Sequence, residues 1–274
     1  MIGDPLLTNL GVGLAALLLV AAAMANGLTL FHIGGRWTWV TTGATAGAVV
    51  FLAVAMAAIA TSRGPWWQSL PATQFLDPQQ VVLGLVLATL VVQLVLAWRL
   101  PVSAASLLVD LLALVLVLFA GFMIEGSGLL PGCYERDVPI QLQWVLFLVG
   151  AGGLMVASGA GLTLALRAGL ARRTPGLQWP RWIDLHALLK RATELAMVSL
   201  GAGIVVGLWW SWRLLGSSAV GGPGDGWAIL ALLVATMSYL VRRTGGRWGH
   251  WVGGLILAAT AVSLLGLLAG FDLL

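Results

Sequence analysis

Long apolar stretches recur along this chain, separated by short polar breaks. Eight of them, near residues 6–30, 39–62, 79–98, 103–124, 140–166, 188–212, 226–242 and 249–271, are candidates to cross a bilayer, a task that takes about 20 mostly apolar residues in a helix. In lipid, a helix satisfies its backbone polar groups within itself. The pattern therefore predicts an all-α polytopic membrane bundle of about eight transmembrane helices. Residues 1–274 read as a single integral membrane domain with no appended soluble domain and no sequence repeat at a fixed period. Asp4 stands where a signal peptide would carry basic residues, and the first apolar run is long. It is expected to be a retained span.

The breaks are short except for three: residues 63–78, 125–139 and 167–187. Pro175 and Pro180 interrupt any helix in the third. With the N-terminus placed outside, the inner segments hold Arg36, Arg99, Arg167, Arg172, Arg173, Arg181, Lys190, Arg191, Arg242, Arg243 and Arg247, and the outer ones only Arg63, Arg136 and Arg213. Basic residues concentrate on the cytoplasmic side of membrane proteins, so this bias predicts both termini on the outer side of a cell's inner (cytoplasmic) membrane. Most acidic residues fall opposite: Asp4, Asp77, Glu125, Glu135, Asp137, Asp225 and Asp272.

Composition sharpens the same picture. Of 274 residues, 60% are hydrophobic and 9% charged, with a mean hydropathy of +0.99. Such a chain calls for a bilayer as solvent. The net charge of +4 follows membrane topology and forms no basic stripe with interleaved aromatics, which excludes a nucleic-acid partner. Many of the 14 tryptophans, Trp37, Trp39, Trp66, Trp67, Trp98, Trp144, Trp179, Trp182, Trp248 and Trp251 among them, lie near span ends, where an indole keeps its body in lipid and its N–H wet. Glycines cluster at Gly11 and Gly13, at Gly150, Gly152, Gly153, Gly159 and Gly161, at Gly201, Gly203 and Gly207, and at Gly253 and Gly254. They predict close helix packing, the main adhesive between helices in lipid. The lone cysteine, Cys133, has Glu135 and Asp137 as neighbours. It has no internal disulfide partner and no heme-attachment motif around it, and the acidic neighbours do not activate its thiol.

Few residues could carry chemistry. His32, His186 and His250 all fall near the expected inner face. Two of them could build an inner-leaflet metal or heme b site, or each could cap a span at the headgroup boundary. Asp110 lies within the fourth span, where a carboxylate costs about 2.5–3.5 kcal/mol on insertion scales and requires a partner. It reads as an interhelical hydrogen bond to a serine or a backbone group, or alternatively as a proton or ion relay. Lys190 and Glu194 stand at pairing distance on a helix. No Ser-His-Asp set, metal-ligand cluster or paired carboxylates appear, so the chain is not expected to be an enzyme.

The sixth and seventh spans carry a motif. Arg191 precedes Gly203-Ile204, Gly207 and Trp210; Trp227-Ala228-Ile229 follows, then Tyr239-Leu240 and Arg242. This arrangement resembles the cytochrome c assembly family of heme-handling membrane proteins (CcsA/CcmC type), in which an arginine leads into a Gly-Ile-x-x-Gly-x-x-Trp helix, the next helix opens on Trp-Ala-Leu, and it closes on Tyr-Leu-His-x-Arg. The resemblance is specific over 191–242 and extends more weakly over about 40–272. Arg63, Pro71 and Asp77 fall near family positions in the loop before the third span.

The resemblance implies an outer tryptophan-rich loop ending in Trp-Asp-Pro-Lys-Glu that presents heme. The matching place here reads GSSAVGGPGDG. Pro223 keeps the proline and Asp225 stands for the glutamate; Gly222 replaces the aspartate, and Gly221 and Ala219 replace tryptophans. The family's histidine positions are likewise altered: Val241 follows Tyr239-Leu240, Leu148 takes the place four after Trp144, the intramembrane position falls near Met56, and the last outer histidine lies beyond Leu274. Heme iron takes His, Met, Cys or Tyr, so Met56 and the three histidines are the candidate ligands if heme is bound. The expectation is that no cofactor is held, with heme b as the alternative. The reading that follows is a cytochrome c assembly-like protein that has lost heme presentation and acts as a scaffold or accessory subunit of a membrane electron-transfer complex. Its partners would be other membrane subunits, met through outer loops 63–78 and 125–139, and lipids. The alternatives are a working heme-handling protein of cytochrome c biogenesis and a small-solute or proton transporter.

Overall fold

The computed structural model describes residues 5–31, 37–62, 78–98, 100, 103–122, 138–170, 174, 177, 179–215, 223–243 and 251–269. Among them are eight helices: α1 (Pro5–Leu30), α2 (Trp37–Ser62), α3 (Pro78–Ala97), α4 (Ser103–Phe122), α5 (Val138–Leu170), α6 (Trp182–Leu215), α7 (Pro223–Arg243) and α8 (Trp251–Ala269). Each apolar stretch of the sequence became one helix. The first six are long and apolar enough to cross a membrane; in α7 and α8 the apolar parts are shorter, Gly226–Val241 and Val252–Leu265. The chain is a multi-pass membrane protein built as an all-helical bundle.

Two helix starts, those of the motif-bearing α6 and α7, differ instructively from expectation. Helix α6 begins at Trp182, six residues before the expected start at 188. Its opening turns are amphipathic: Leu185, Leu188 and Leu189 are buried while Lys190 and Arg191 are exposed, so one face packs and the other is solvated. Helix α7 begins at Pro223, within the segment expected to be a loop. Proline suits a first helical position because its missing N–H has no partner there and its φ is already helical.

The helices pack as two rings of four. In the first, α1 touches α2 and α4, and α3 touches α2 and α4; in the second, α5 touches α6 and α8, and α7 touches α6 and α8. The rings join through α5, which lies against both α3 and α4. Contacts run antiparallel between chain neighbours. Gly11 near the start of α1 meets Ala55 late in α2, and Gly203 and Gly207 late in α6 meet Phe147 and Gln143 early in α5. Odd-numbered helices therefore finish at one end of the bundle and even-numbered ones at the other.

Helix α5 is the most enclosed element, with every residue from 150 to 161 buried. Its small residues make this possible. A β-carbon at Gly152 would lie 2.9 Å from the Thr89 backbone nitrogen of α3, and one at Gly159 would lie 3.0 Å from the Ala105 carbonyl oxygen of α4. Backbones that approach this closely gain dispersion contacts that larger residues would prevent. The first ring has its own aliphatic core around Leu19, Leu52, Leu83, Val86 and Leu90. The second packs Leu154 and Leu200 against a row of alanines, Ala228, Ala231 and Ala235. A third cluster fills the seam, drawing Val92, Val109, Val156, Leu185, Leu189 and Ile256 from five helices.

The turn between α5 and α6 is held by side chains. Arg167 donates from its guanidinium to the Pro180 carbonyl and sits 5.7 Å from the centre of the Trp182 ring, a cation–π distance. Tryptophans mark other helix ends as expected: Trp39 is 83% and Trp98 91% exposed.

Candidate functional site

The bundle's one fully buried carboxylate among the described residues belongs to Asp110, near the start of α4. Asn26 Nδ2 donates to its Oδ2 at 2.8 Å, from the last turns of α1. Gln93 Nε2 donates to its Oδ1 at 2.9 Å, from the last turns of α3. The expected partner was a serine or a backbone group; the structure supplies two side-chain amides instead. Amides suit the place because each donates without adding a second charge to a dry interior. The node ties three helices of the first ring at the end where α1 and α3 finish.

The motif of the sixth span has a packing role. Gly203 and Gly207 face α5: a β-carbon at Gly203 would sit 2.6 Å from the Phe147 ring, and one at Gly207 would overlap the Gln143 amide. Trp209 and Trp210 stand 6.0 Å apart between ring centres. Arg213 lies 5.7 Å and 6.0 Å from them, respectively. The aromatic end of α6 is thus capped by a cation. Lys190 and Glu194 form the expected i, i+4 pair at 3.9 Å, both partly exposed; such pairs contribute about 0.3–0.5 kcal/mol.

The positions matched to the family's ligands divide between the two ends of the bundle. Met56, late in α2, and Leu148, early in α5, converge on Gly84 of α3: a β-carbon there would lie 3.2 Å from Leu148 Cδ1 and 3.6 Å from Met56 Cε. Val241 lies at the other end, late in α7, packed on the seam cluster. His186 is also at that end, early in α6, with its ring 4.9 Å from the Trp182 ring. The helices thus hold Met56 and His186 at opposite ends of the bundle. His32, His250, Gly221, Gly222, Ala219 and Cys133 lie outside the described residues, as do 63–77 and 123–137. Pro223 and Asp225 belong to the first turn of α7.

Among the described residues, the matched positions do not build an iron-porphyrin site. Leu148 and Val241 offer only hydrocarbon to a metal, and the terminal methyl of Met56 is packed against Gly84 beside Leu148. A group of three His, Cys, Asp or Glu side chains that could hold a metal ion is not found among the described residues.

Among solved structures, the chain is similar to cytochrome c heme lyase CcmF, with a TM-score of 0.67 and 23% identity over 97% of this chain and 47% of that one. The chain shares its fold with that part of CcmF. The match runs through nearly the whole chain, so both rings and their junction are shared, while the chain spans about half the length of CcmF. No protein-family model matches the sequence, and no curated protein does.

Sequence reasoning singled out Asp110 but not its partners. Asn26 and Gln93 are the signal that was available: each is a primary amide within an apolar span, where an unpartnered polar group is costly.

Proposed function

We propose that this chain is a non-enzymatic protein of the inner (cytoplasmic) membrane that keeps the heme-lyase fold without heme presentation. It serves as a scaffold or accessory subunit of a membrane electron-transfer complex. The supporting observation is the pair Leu148 and Met56 closed on Gly84: an apolar contact occupies the place to which the resemblance assigns histidines. Val241, packed among aliphatic side chains, supports the same reading at the other end. In this reading the chain holds no cofactor of its own. Both termini lie on the outer side, and the outer segments 63–78 and 125–139, which mix aromatic and charged residues, meet the partner subunits. Lipids cover the exposed apolar helix faces.

The test is purification in mild detergent followed by identification of the proteins that travel with the chain. Stoichiometric recovery with other integral membrane subunits is expected. Recovery of the chain alone with bound heme would instead establish a heme-handling protein of cytochrome c biogenesis, the reading that the fold of CcmF favours. A small-solute or proton transporter is the third reading, and Asp110 is the observation in its favour.

A further inference from the structure

The Asp110 node is incomplete at one atom. Gln93 is 5% exposed, its Nε2 is committed to Asp110, and its Oε1 is buried without a hydrogen-bond partner. A buried acceptor left in that state costs about 1–3 kcal/mol. Beside it the two rings leave a small cavity of about 10 Å³, lined by Gln93, Ser106, Val109, Val156, Leu188 and Leu100. That volume is close to what one water molecule occupies, and a buried water needs at least two polar partners. The lining offers two, the Gln93 amide and the Ser106 hydroxyl.

We propose that this seam cavity is the binding site of one water molecule, which donates to Gln93 Oε1 and bonds to the Ser106 hydroxyl. The geometry selects water over a metal cation. Hard cations take about six oxygen ligands, whereas this lining is apolar apart from Gln93 and Ser106. Ser106 precedes Asp110 by one helical turn, so the water would lie one turn nearer the start of α4 than the carboxylate. It completes Gln93, and through Gln93 it holds the amide that Asp110 requires. It also bridges α3 to α4 where both meet α5 and α6. The seam between the rings thus carries a polar fastener in addition to its glycines.

The inference is independent of whether the chain handles heme. It is tested by hydroxyl-radical footprinting of the intact protein in lipid nanodiscs. Radiolysis of a bound water oxidises the side chains beside it, and Val156 and Leu188, 2% and 5% exposed, are screened from bulk water. Oxidation of both in the native protein is expected, with loss of that signal in Ser106→Leu, which fills the cavity, and a weakened signal in Ser106→Ala, which leaves the space but removes one of the water's two polar partners. Absence of oxidation at Val156 and Leu188 in the native protein would overturn the proposal, whether or not the variants fold. So would a signal that a folded Ser106→Leu protein leaves unchanged.

Discussion

The two four-helix rings solve the same packing problem with different chemistry. The first ring, α1 to α4, is filled by leucine and valine and locked by a charged node in which two amides serve one carboxylate. The second, α5 to α8, is drawn together by small residues. Its polar contact is neutral: the Thr260 hydroxyl lies 2.9 Å from the Ile256 carbonyl and 3.1 Å from that of Leu154, with Ser158 Oγ 2.6 Å away. Close backbone approach distributes adhesion over many weak contacts, whereas a buried charge concentrates it in a few strong ones. The second ring should therefore be intolerant of added volume, and the first intolerant of lost hydrogen bonds.

The largest effect is expected from volume added to α5. In Gly153→Leu, the new side chain meets the Ala192 carbonyl oxygen and Ala196 Cβ, each only 3.1 Å from the first added carbon. Backbone cannot yield as a flexible side chain does, and overpacking costs about 1–3 kcal/mol or more. Loss of monodisperse protein in fluorescence-detected size exclusion is the expected outcome; a variant that elutes and melts like the parent would show that α5 and α6 are not so close.

Next comes the charged node. Hydrogen bonds to charged groups contribute about 1.5–3 kcal/mol, so Asn26→Ala and Gln93→Ala should each lower the thermal midpoint in detergent clearly. Asp110→Leu in the Asn26→Leu, Gln93→Leu background should recover much of the loss, because the unpaired groups go together. Failure of that recovery would contradict the attribution of the loss to unpaired buried groups. Thr260→Val tests the neutral contact of the second ring, where interhelical hydrogen bonds average about 0.6 kcal/mol; a small drop in midpoint is expected. The smallest effect belongs to Gly13→Ala, where a β-carbon meets nothing within 4 Å. Its midpoint should stay level or rise slightly, since glycine in a helix interior costs about 0.5–1 kcal/mol relative to alanine.

The sequence made the spans legible because the bilayer sets a length and a polarity that every crossing must meet. It made the glycine stripe of α5 legible for the same reason. What it concealed was pairwise. Gly13, Gly201 and Gly254 belong to the same clusters as the packed glycines yet have no close neighbour, since spacing does not reveal which face meets another helix. Asn26 lies 84 residues from Asp110, a pairing that only the ring topology brings about. The early start of α6 was hidden because Asp184, Lys190 and Arg191 lower its apolar signal while Leu185, Leu188 and Leu189 carry its packing. At the candidate site, the resemblance expects histidines at the places of Leu148 and Val241. That Leu148 closes with Met56 upon Gly84, at the end opposite His186, could not be read from it.

The central claim is that this heme-lyase fold holds no heme of its own. An absorption spectrum of the chain, purified in mild detergent from heme-replete membranes and normalised to protein, tests it most directly. The account predicts no Soret band above the level of a membrane protein without a heme site. A stoichiometric Soret band that Met56→Leu or His186→Ala abolishes, with the protein still folded, would contradict it.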